Sequence, residues 1–328
     1  MALLSRVRRV VRRNAALRGA YYRSVSLLHG ARLKAARGKR ANKCLDSSKI
    51  IWIFCTARSG STWVRAMLAD LLPCEVWEEP KIGQLFGEFY ERAQKGQLGS
   101  KNFVLGDPTR AVWTEAVRRF ALETAFASNP SITPERYLLV KEPDGAVGAP
   151  ILMEALPESR MILLVRDPRD VVASALDATG EGAWMYERMD ADLRRRRSRH
   201  EARGLAAYVR ARANVYRRQI GNAKRAYEAH DGPKTLVRYE DLRAGTTSVM
   251  RRVLTELGLP FGEAALARVV ERHSWENVPD SEKGSGKFYR KAKPGGWRED
   301  LTPEQIEIVE EITAPLLKEF YPPPGGET

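Results

Sequence analysis

The apolar run Ile50-Ile51-Trp52-Ile53-Phe54-Cys55, followed at once by the turn residues Arg58-Ser59-Gly60, constrains this chain more than any other stretch. A short run with no polar side chain reads as a strand buried on both faces, and it is far shorter than the ~20 residues that span a bilayer. Apolar residues then recur at helical spacing over Thr62–Leu72 (Trp63, Met67, Leu68, Leu71). The pattern repeats. Tyr137–Val140, Met161–Val165 and Thr235–Arg238 are further strand-length runs. Helices are expected from Val171–Leu176 after Pro168, over 203–229 up to the breaker His230-Asp231-Gly232-Pro233, and near 246–257, 263–272 and 302–318. Buried strands alternating with helices define an α/β fold around a mainly parallel sheet.

Charge divides the chain in two. The net charge of the 328 residues is +14, yet residues 1–43 hold thirteen Lys and Arg with no Asp or Glu, leaving 44–328 almost neutral. A basic nucleic-acid-binding body is therefore not indicated. On a helix, Leu3, Leu4, Val7, Val10, Val11 and Leu17 share one arc, and Arg6, Arg8, Arg9, Arg12 and Arg13 the other. Such a tail suits an anionic membrane surface; it also has the composition of an organellar transit peptide or of a solvated basic arm. Arginines interrupt any secretory apolar core, so the expectation is a cytoplasmic protein, peripheral at a membrane through residues 1–43, with 44–328 as its domain. Three cysteines (Cys44, Cys55, Cys74) with no CxxC pair make neither a disulfide framework nor a zinc site.

Three segments carry chemistry. Thr56-Ala57-Arg58-Ser59-Gly60-Ser61-Thr62-Trp63 joins a strand to a helix, so backbone N–H groups and the positive helix end can converge on an anion. Gly60 permits close approach, Ser61 and Thr62 add hydroxyls, and Arg58 adds a charged fork. The Walker pattern GxxxxGK[ST] is absent. Arg166-Asp167-Pro168-Arg169-Asp170-Val171-Val172-Ala173-Ser174 again follows a strand. Arg166 and Ser174 could meet at a second phosphate; alternatively, Asp167 is a plain helix cap and Arg169 pairs with a carboxylate. Lys287-Phe288-Tyr289-Arg290-Lys291-Ala292-Lys293-Pro294-Gly295-Gly296-Trp297 reads as a cationic loop that closes over an anion, or as a solvated basic loop.

In this order, and with Val237-Arg238-Tyr239-Glu240-Asp241-Leu242 between them, these segments resemble the sulfotransferases that use 3′-phosphoadenosine 5′-phosphosulfate (PAPS), over roughly residues 50–322. The resemblance implies a P-loop-like three-layer domain and PAPS as co-substrate. It places the 5′-phosphosulfate on Arg58, Ser59, Gly60, Ser61 and Thr62, and the 3′-phosphate on Arg166, Ser174, Arg290 and Lys291, with Ala292 in the same loop. Trp63 and Tyr239 match positions near the adenine. Three departures stand out: Arg58 where the cytosolic branch has Lys, Ala292 where Gly is usual, and Lys141-Glu142-Pro143 where that branch has Lys-x-His. None of the four histidines replaces the last.

Sulfonyl transfer needs a polarised acceptor hydroxyl and a stabilised leaving phosphate. Glu142 is expected as general base, with Lys141 and Arg58 steadying the sulfonyl and phosphate oxygens; Arg and Lys then supply the charge without a metal. Trp77-Glu78-Glu79-Pro80-Lys81, Phe86, Phe89, Tyr90, Asp144 and Trp184 are candidates for the acceptor side, and the acceptor itself is expected to be a hydroxyl-bearing carbohydrate, glycolipid or other membrane-associated molecule. The arginine run 194–197 reads as a lid or a solvated helix face. Competing readings are a P-loop nucleotide kinase or NTPase, which would need a Walker Lys and a Mg²⁺-binding Asp, and a non-catalytic nucleotide-binding protein recruited to membranes.

Overall fold

The computed structural model describes residues 45–94, 109–129, 131–189, 195, 198 and 204–322. The basic segment 1–43 lies outside them, as does the arginine run apart from Arg195. Among the described residues five strands, β1 (Ile50–Phe54), β2 (Cys74–Glu78), β3 (Tyr137–Glu142), β4 (Arg160–Val165) and β5 (Lys234–Arg238), pair in parallel in the order β2-β3-β1-β4-β5. The helices are α1 (Ser61–Leu71), α2 (Ile82–Gln94), α3 (Arg110–Ser128), α4 (Ala149–Ala155), α5 (Pro168–Thr179), α6 (Leu205–Ala229), α7 (Tyr239–Ala244), α8 (Thr246–Glu256), α9 (Glu263–Arg272), α10 (Trp297–Asp300) and α11 (Pro303–Phe320). None of the described helices is long and apolar enough to cross a membrane.

The strand period of two builds two cores. Ile50, Trp52 and Phe54 of β1 face a layer containing Trp113 of α3, Ile151 of α4 and Tyr216 and Ile220 of α6. Ile51 and Ile53 face Val64, Met67 and Leu68 of α1, Val253 of α8 and Leu266 of α9. Every β1 residue is buried, as a central strand covered on both sides requires. The expected three-layer α/β domain is what forms. Thr302 and Gln305 close a capping box at the start of α11, which packs along α6.

β3 runs two residues past its apolar stretch, because the end of β1 pairs with it: Ile53 lies beside Lys141 and Phe54 beside Glu142. β2 carried no strand signal, since Glu75 and Glu78 break its apolar residues; it is an edge strand, where charge is tolerated. α3 was also not expected. Its buried stripe, Trp113, Val117, Ala121 and Ala125, is half alanine and gives little apolar contrast.

α2 presses against the segment after β3 at backbone distance. A Cβ on Gly83 would lie 2.1 Å from the Gly145 carbonyl oxygen, and one on Gly148 would lie 2.0 Å from that of Gly83. Alanine ordinarily favours a helix over glycine by about 1 kcal/mol. Here the collision outweighs it, and Gly83→Ala is expected to destabilise by about 1–3 kcal/mol in urea or thermal unfolding. A gain in stability would contradict this packing.

Candidate active site

The chain leaving β1 passes through α1 on one face of the sheet toward β2, whereas that leaving β3 passes through α4 on the other toward β4. Connections that diverge from adjacent carboxyl ends open a crevice where ligands bind in parallel sheets. A cleft of about 430 Å³ lies there, bordered by the β1–α1 turn, the end of β3, the start of α7 and the loop 283–297.

The turn is built for close approach. Gly60 adopts φ +89° and precedes α1 without any side-chain cap, leaving the first-turn N–H groups uncapped. A Cβ at Gly60 would stand 2.6 Å from the Tyr239 ring. Ser61, Thr62 and Trp63 line the cleft. Ser59 does not: it is fully buried, and its hydroxyl donates to the Thr56 carbonyl (2.7 Å), locking the turn from beneath. Ser59 can thus offer a ligand only its backbone. Trp63 donates its indole N–H to the His273 carbonyl (2.7 Å), and His273 meets Asp70 at 2.9 Å at the same end of the cleft.

Three guanidinium groups gather opposite. Arg166 stacks over the buried Tyr239 ring (4.4 Å) and donates to the Arg58 carbonyl (2.9 Å). Arg290 donates to the Ala173 carbonyl (3.0 Å) and pairs with Asp300. Arg58 donates through Nε to the Ser174 hydroxyl (3.1 Å). Burial, then the neighbouring charges of Arg166 and Arg290, pull the Arg58 pKa down to about 10. Lys291 lines the cleft and pairs with Asp300 (2.8 Å) and Glu299 (3.2 Å). Ala292 has φ +47°, the left-handed conformation that glycine supplies without strain.

The motif at the start of helix α5 divides between the helix and the cleft. Asp167 caps it and Arg169 pairs with Asp167 and Glu310 (both 2.7 Å), while Arg166 and Ser174 line the cleft. No local signal marks Asp170. Almost wholly buried, it accepts N–H bonds from Gly295 (2.8 Å) and Trp297 (2.9 Å), and Asp177 one turn-pair on accepts from Gly286 (3.0 Å). The late loop is thereby fastened along one helix.

The largest correction concerns Glu142. It is the last residue of β3, has no exposed surface, and is not among the residues lining the cleft. Its carboxylate turns away to accept the Lys81 and Gly83 N–H groups (3.1 Å each) at the start of α2. Lys141, beside it, does reach the cleft, where its ammonium meets Glu79 (2.8 Å) and Glu78 (3.0 Å). Burial would lower the Lys141 pKa, but hydrogen bonds to these two carboxylates raise it overall. Glu79 lines the cleft with φ +49°, and Lys81 has φ +61°; with Arg58 and Ala292 these are the four non-glycine residues of positive φ among those described. Backbone strain of this kind concentrates at functional sites. Of the other acceptor candidates, Trp184 borders the cleft. Trp77, Phe86 and Tyr90 pack against the core, Phe89 is exposed, and Asp144 pairs with Lys81 at 3.5 Å.

The chain belongs to the sulfotransferase family, whose family model matches residues 51–263. It is accordingly an enzyme of sulfonyl transfer, which sets aside the kinase alternative. Its fold is similar to that of sulfotransferase STF9 from Mycobacterium avium, 14% identical, with 92% of this chain and 83% of that one covered at a TM-score of 0.54. The sulfotransferase domain of the Synechococcus PCC 7002 olefin synthase is 22% identical over 80% of this chain and 94% of that one, TM-score 0.43. Mouse sulfotransferase SULT7A1, complexed with PAP, is 12% identical over 86% and 92%, TM-score 0.49. No curated protein matches the sequence.

Burial, then the charges of Asp144 and Glu79, outweigh the two N–H bonds and push the Glu142 pKa from 4.5 up to about 7. The folded chain then holds this proton more tightly than the unfolded one. The favourable contribution is complete below about pH 4.5 and is lost as pH rises through about 7. Unfolding of the wild type should therefore become easier across that window, and Glu142→Gln should flatten the slope. Parallel pH profiles for the two chains would reject the assignment.

Proposed function

We propose that this enzyme transfers the sulfonyl group of PAPS to a hydroxyl acceptor. The convergence of Arg58, Arg166 and Arg290 beside the uncapped start of α1 is the observation that carries the reading. Two groups of donors, the start of α1 and the guanidinium cluster, border one cleft, which suits a nucleotide with phosphate groups at both 5′ and 3′ positions. Ser61, Thr62 and the first-turn N–H groups hold the 5′-phosphosulfate, and Ser174, Arg166, Arg290 and Lys291 the 3′-phosphate. Trp63 and Tyr239 border the base.

Glu79, rather than Glu142, takes the acceptor proton. As that proton leaves, the acceptor oxygen bonds to sulfur, the bond from sulfur to the 5′-phosphate oxygen breaks, and adenosine 3′,5′-bisphosphate departs. Lys141 steadies the sulfonyl oxygens beside Glu79. Glu142 is a positioning residue: by accepting the Lys81 N–H it fixes the strained turn that presents Glu79. Glu79→Gln is expected to lower kcat by about 10²–10⁴ while nucleotide affinity stays within about twofold. Retention of more than about a tenth of wild-type turnover would move the base elsewhere.

The wild-type chain is expected to bind adenosine 3′,5′-bisphosphate more tightly than adenosine 5′-monophosphate, by the worth of one charge-assisted phosphate site, on the order of 1.5–3 kcal/mol. Equal affinities by titration calorimetry would defeat the 3′-site assignment.

For the acceptor we favour a carbohydrate, glycolipid or other membrane-associated alcohol, with residues 1–43 bringing the enzyme to anionic lipid. The support is the thirteen uncompensated basic residues and the segregated apolar arc. Anionic vesicles should sediment the full chain but not a chain beginning at Asp46, with salt weakening the attraction only in part, since the apolar arc is not screened. Equal partitioning of the two chains would refute it.

A further inference from the structure

Among the described residues five large apolar side chains are exposed, and four of them, Leu85, Phe89, Val112 and Phe120, lie on α2 and α3 with 41% to 72% of their surface open. The two helices meet through rings, Phe86 against Phe120 (5.3 Å) and Tyr90 against Trp113 (5.7 Å), so they run antiparallel side by side. Leu85 and Phe89, four residues apart, point away from the Gly83 and Gly87 side of α2, which presses on the segment after β3. Val112, Ala116 and Phe120 recur at the same spacing on the exposed side of α3, away from the buried Val117 and Ala121. The two rows join at Phe120, which is partly open and also touches Phe86.

A solvated helix face is ordinarily polar. From Lys81 to Arg92 the exposed residues are instead Lys81, Leu85, Phe89 and Arg92, half apolar and half basic. The carboxylates of α2 are engaged elsewhere, since Glu88 and Glu91 both pair with Arg218 of α6. Arg92 lies 5.8 Å from the Phe89 ring. On α3 the exposed Arg119 is met by Glu115 at 3.7 Å, and Glu123 is half-buried. Isolated exposed apolar residues are unremarkable, but a contiguous set rimmed by charge marks an interaction surface.

We propose that the outer faces of α2 and α3 dock on an anionic lipid bilayer, with the four apolar side chains in the acyl boundary and Lys81, Arg92 and Arg119 at the level of the lipid phosphates. Two observations select a bilayer over a protein partner. Apolar and cationic side chains share one face of α2, the composition of helices that lie in a membrane interface. That face also begins at the cleft: Lys81 stands two residues after Glu79, which lines the cleft and pairs with Lys141. A lipid surface seated there meets the acceptor end of the site. The proposal rests on the membrane reading of the acceptor given above and adds orientation to it: residues 1–43 attract the enzyme, and α2 and α3 set which way it faces.

Co-sedimentation of the full chain with vesicles of phosphatidylcholine and phosphatidylglycerol, at low and at high salt, tests this. The chains compared are wild type, Leu85→Gln with Phe89→Gln, Val112→Gln with Phe120→Gln, and Leu205→Gln, which removes the fifth exposed side chain, on α6. Each paired variant is expected to lose about fivefold or more in partitioning, and the loss should persist in high salt because apolar burial is not screened. Leu205→Gln should partition as wild type does. Paired variants that also partition as wild type would overturn the proposal, and so would a wild type that ignores the vesicles. If they do so while a chain beginning at Asp46 fails to bind, the tail reading survives alone. If the chain beginning at Asp46 binds like the full one and loses binding on the paired substitutions, the tail reading falls and this one stands. A wild-type dimer in sedimentation velocity without lipid, dispersed by the same substitutions, would make this face a contact between copies and overturn the lipid assignment. Unchanged circular dichroism melts show that the variants keep their fold.

Discussion

Mutual repulsion among Arg58, Arg166 and Arg290 is the constraint around which the cleft is organised. Cations of one sign are not brought together at a buried site without rigid support, and each of these is held by groups that cost little charge. Ser174 and the Phe288 carbonyl accept from Arg58, the Arg58 carbonyl from Arg166, and the Ala173 carbonyl from Arg290. Neutral oxygens orient the guanidinium groups without neutralising them, so the positive potential remains available. Asp300 is the exception, paired with Arg290 and Lys291 at the outer edge of the loop.

Helix α5 supplies most of that support. From its buried side Asp170 grips the Gly295 and Trp297 amides, Ala173 offers a carbonyl to Arg290, and Asp177 accepts the Gly286 amide. Residues spaced along one rigid rod thus fix a loop that follows them by more than a hundred positions. The Trp297 ring at the same junction is met by the guanidinium groups of Arg169 (4.1 Å) and Arg298 (4.3 Å). Ser174, the Arg290 contact and the loop are thus all tied to α5.

What the sequence revealed and what it hid follow from the range of each interaction. The β1–α1 unit was legible because its signals, six apolar residues and a glycine turn, are contiguous. The cap at Asp167 was legible because its partner, the Arg169 N–H, lies two residues away. Asp170 was not, because its donors stand 125 and 127 residues downstream. β2 was missed because an edge strand is recognised by its neighbour β3, whose register with Cys74–Glu78 no local pattern announces. Pairing carries β3 two residues past its apolar run and starts β4 and β5 one residue early, whereas β1 ends at Phe54, one residue before its apolar run does.

Glu142 shows the same limit within the site itself. A carboxylate at the end of a buried strand has two destinations, the cleft or the N-terminus of a neighbouring helix, and both stabilise negative charge. Local sequence does not separate them; the close approach of α2 does. With Gly83 and Gly145 bare of side chains, the backbone of α2 comes near enough to give Glu142 two N–H groups, and a Cβ at Gly145 would strike that carboxyl at 2.3 Å. Burying the acid this way raises its pKa, a cost that an ordinary surface carboxylate would not carry. The return is geometric. The Lys81 N–H that Glu142 accepts lies just beyond Glu79 and Pro80, in a turn whose two left-handed residues would otherwise relax. The paired glycines, the buried acid and the strained turn are therefore one device, and what it holds is the Glu79 carboxylate, paired with Lys141 at 2.8 Å on the cleft wall.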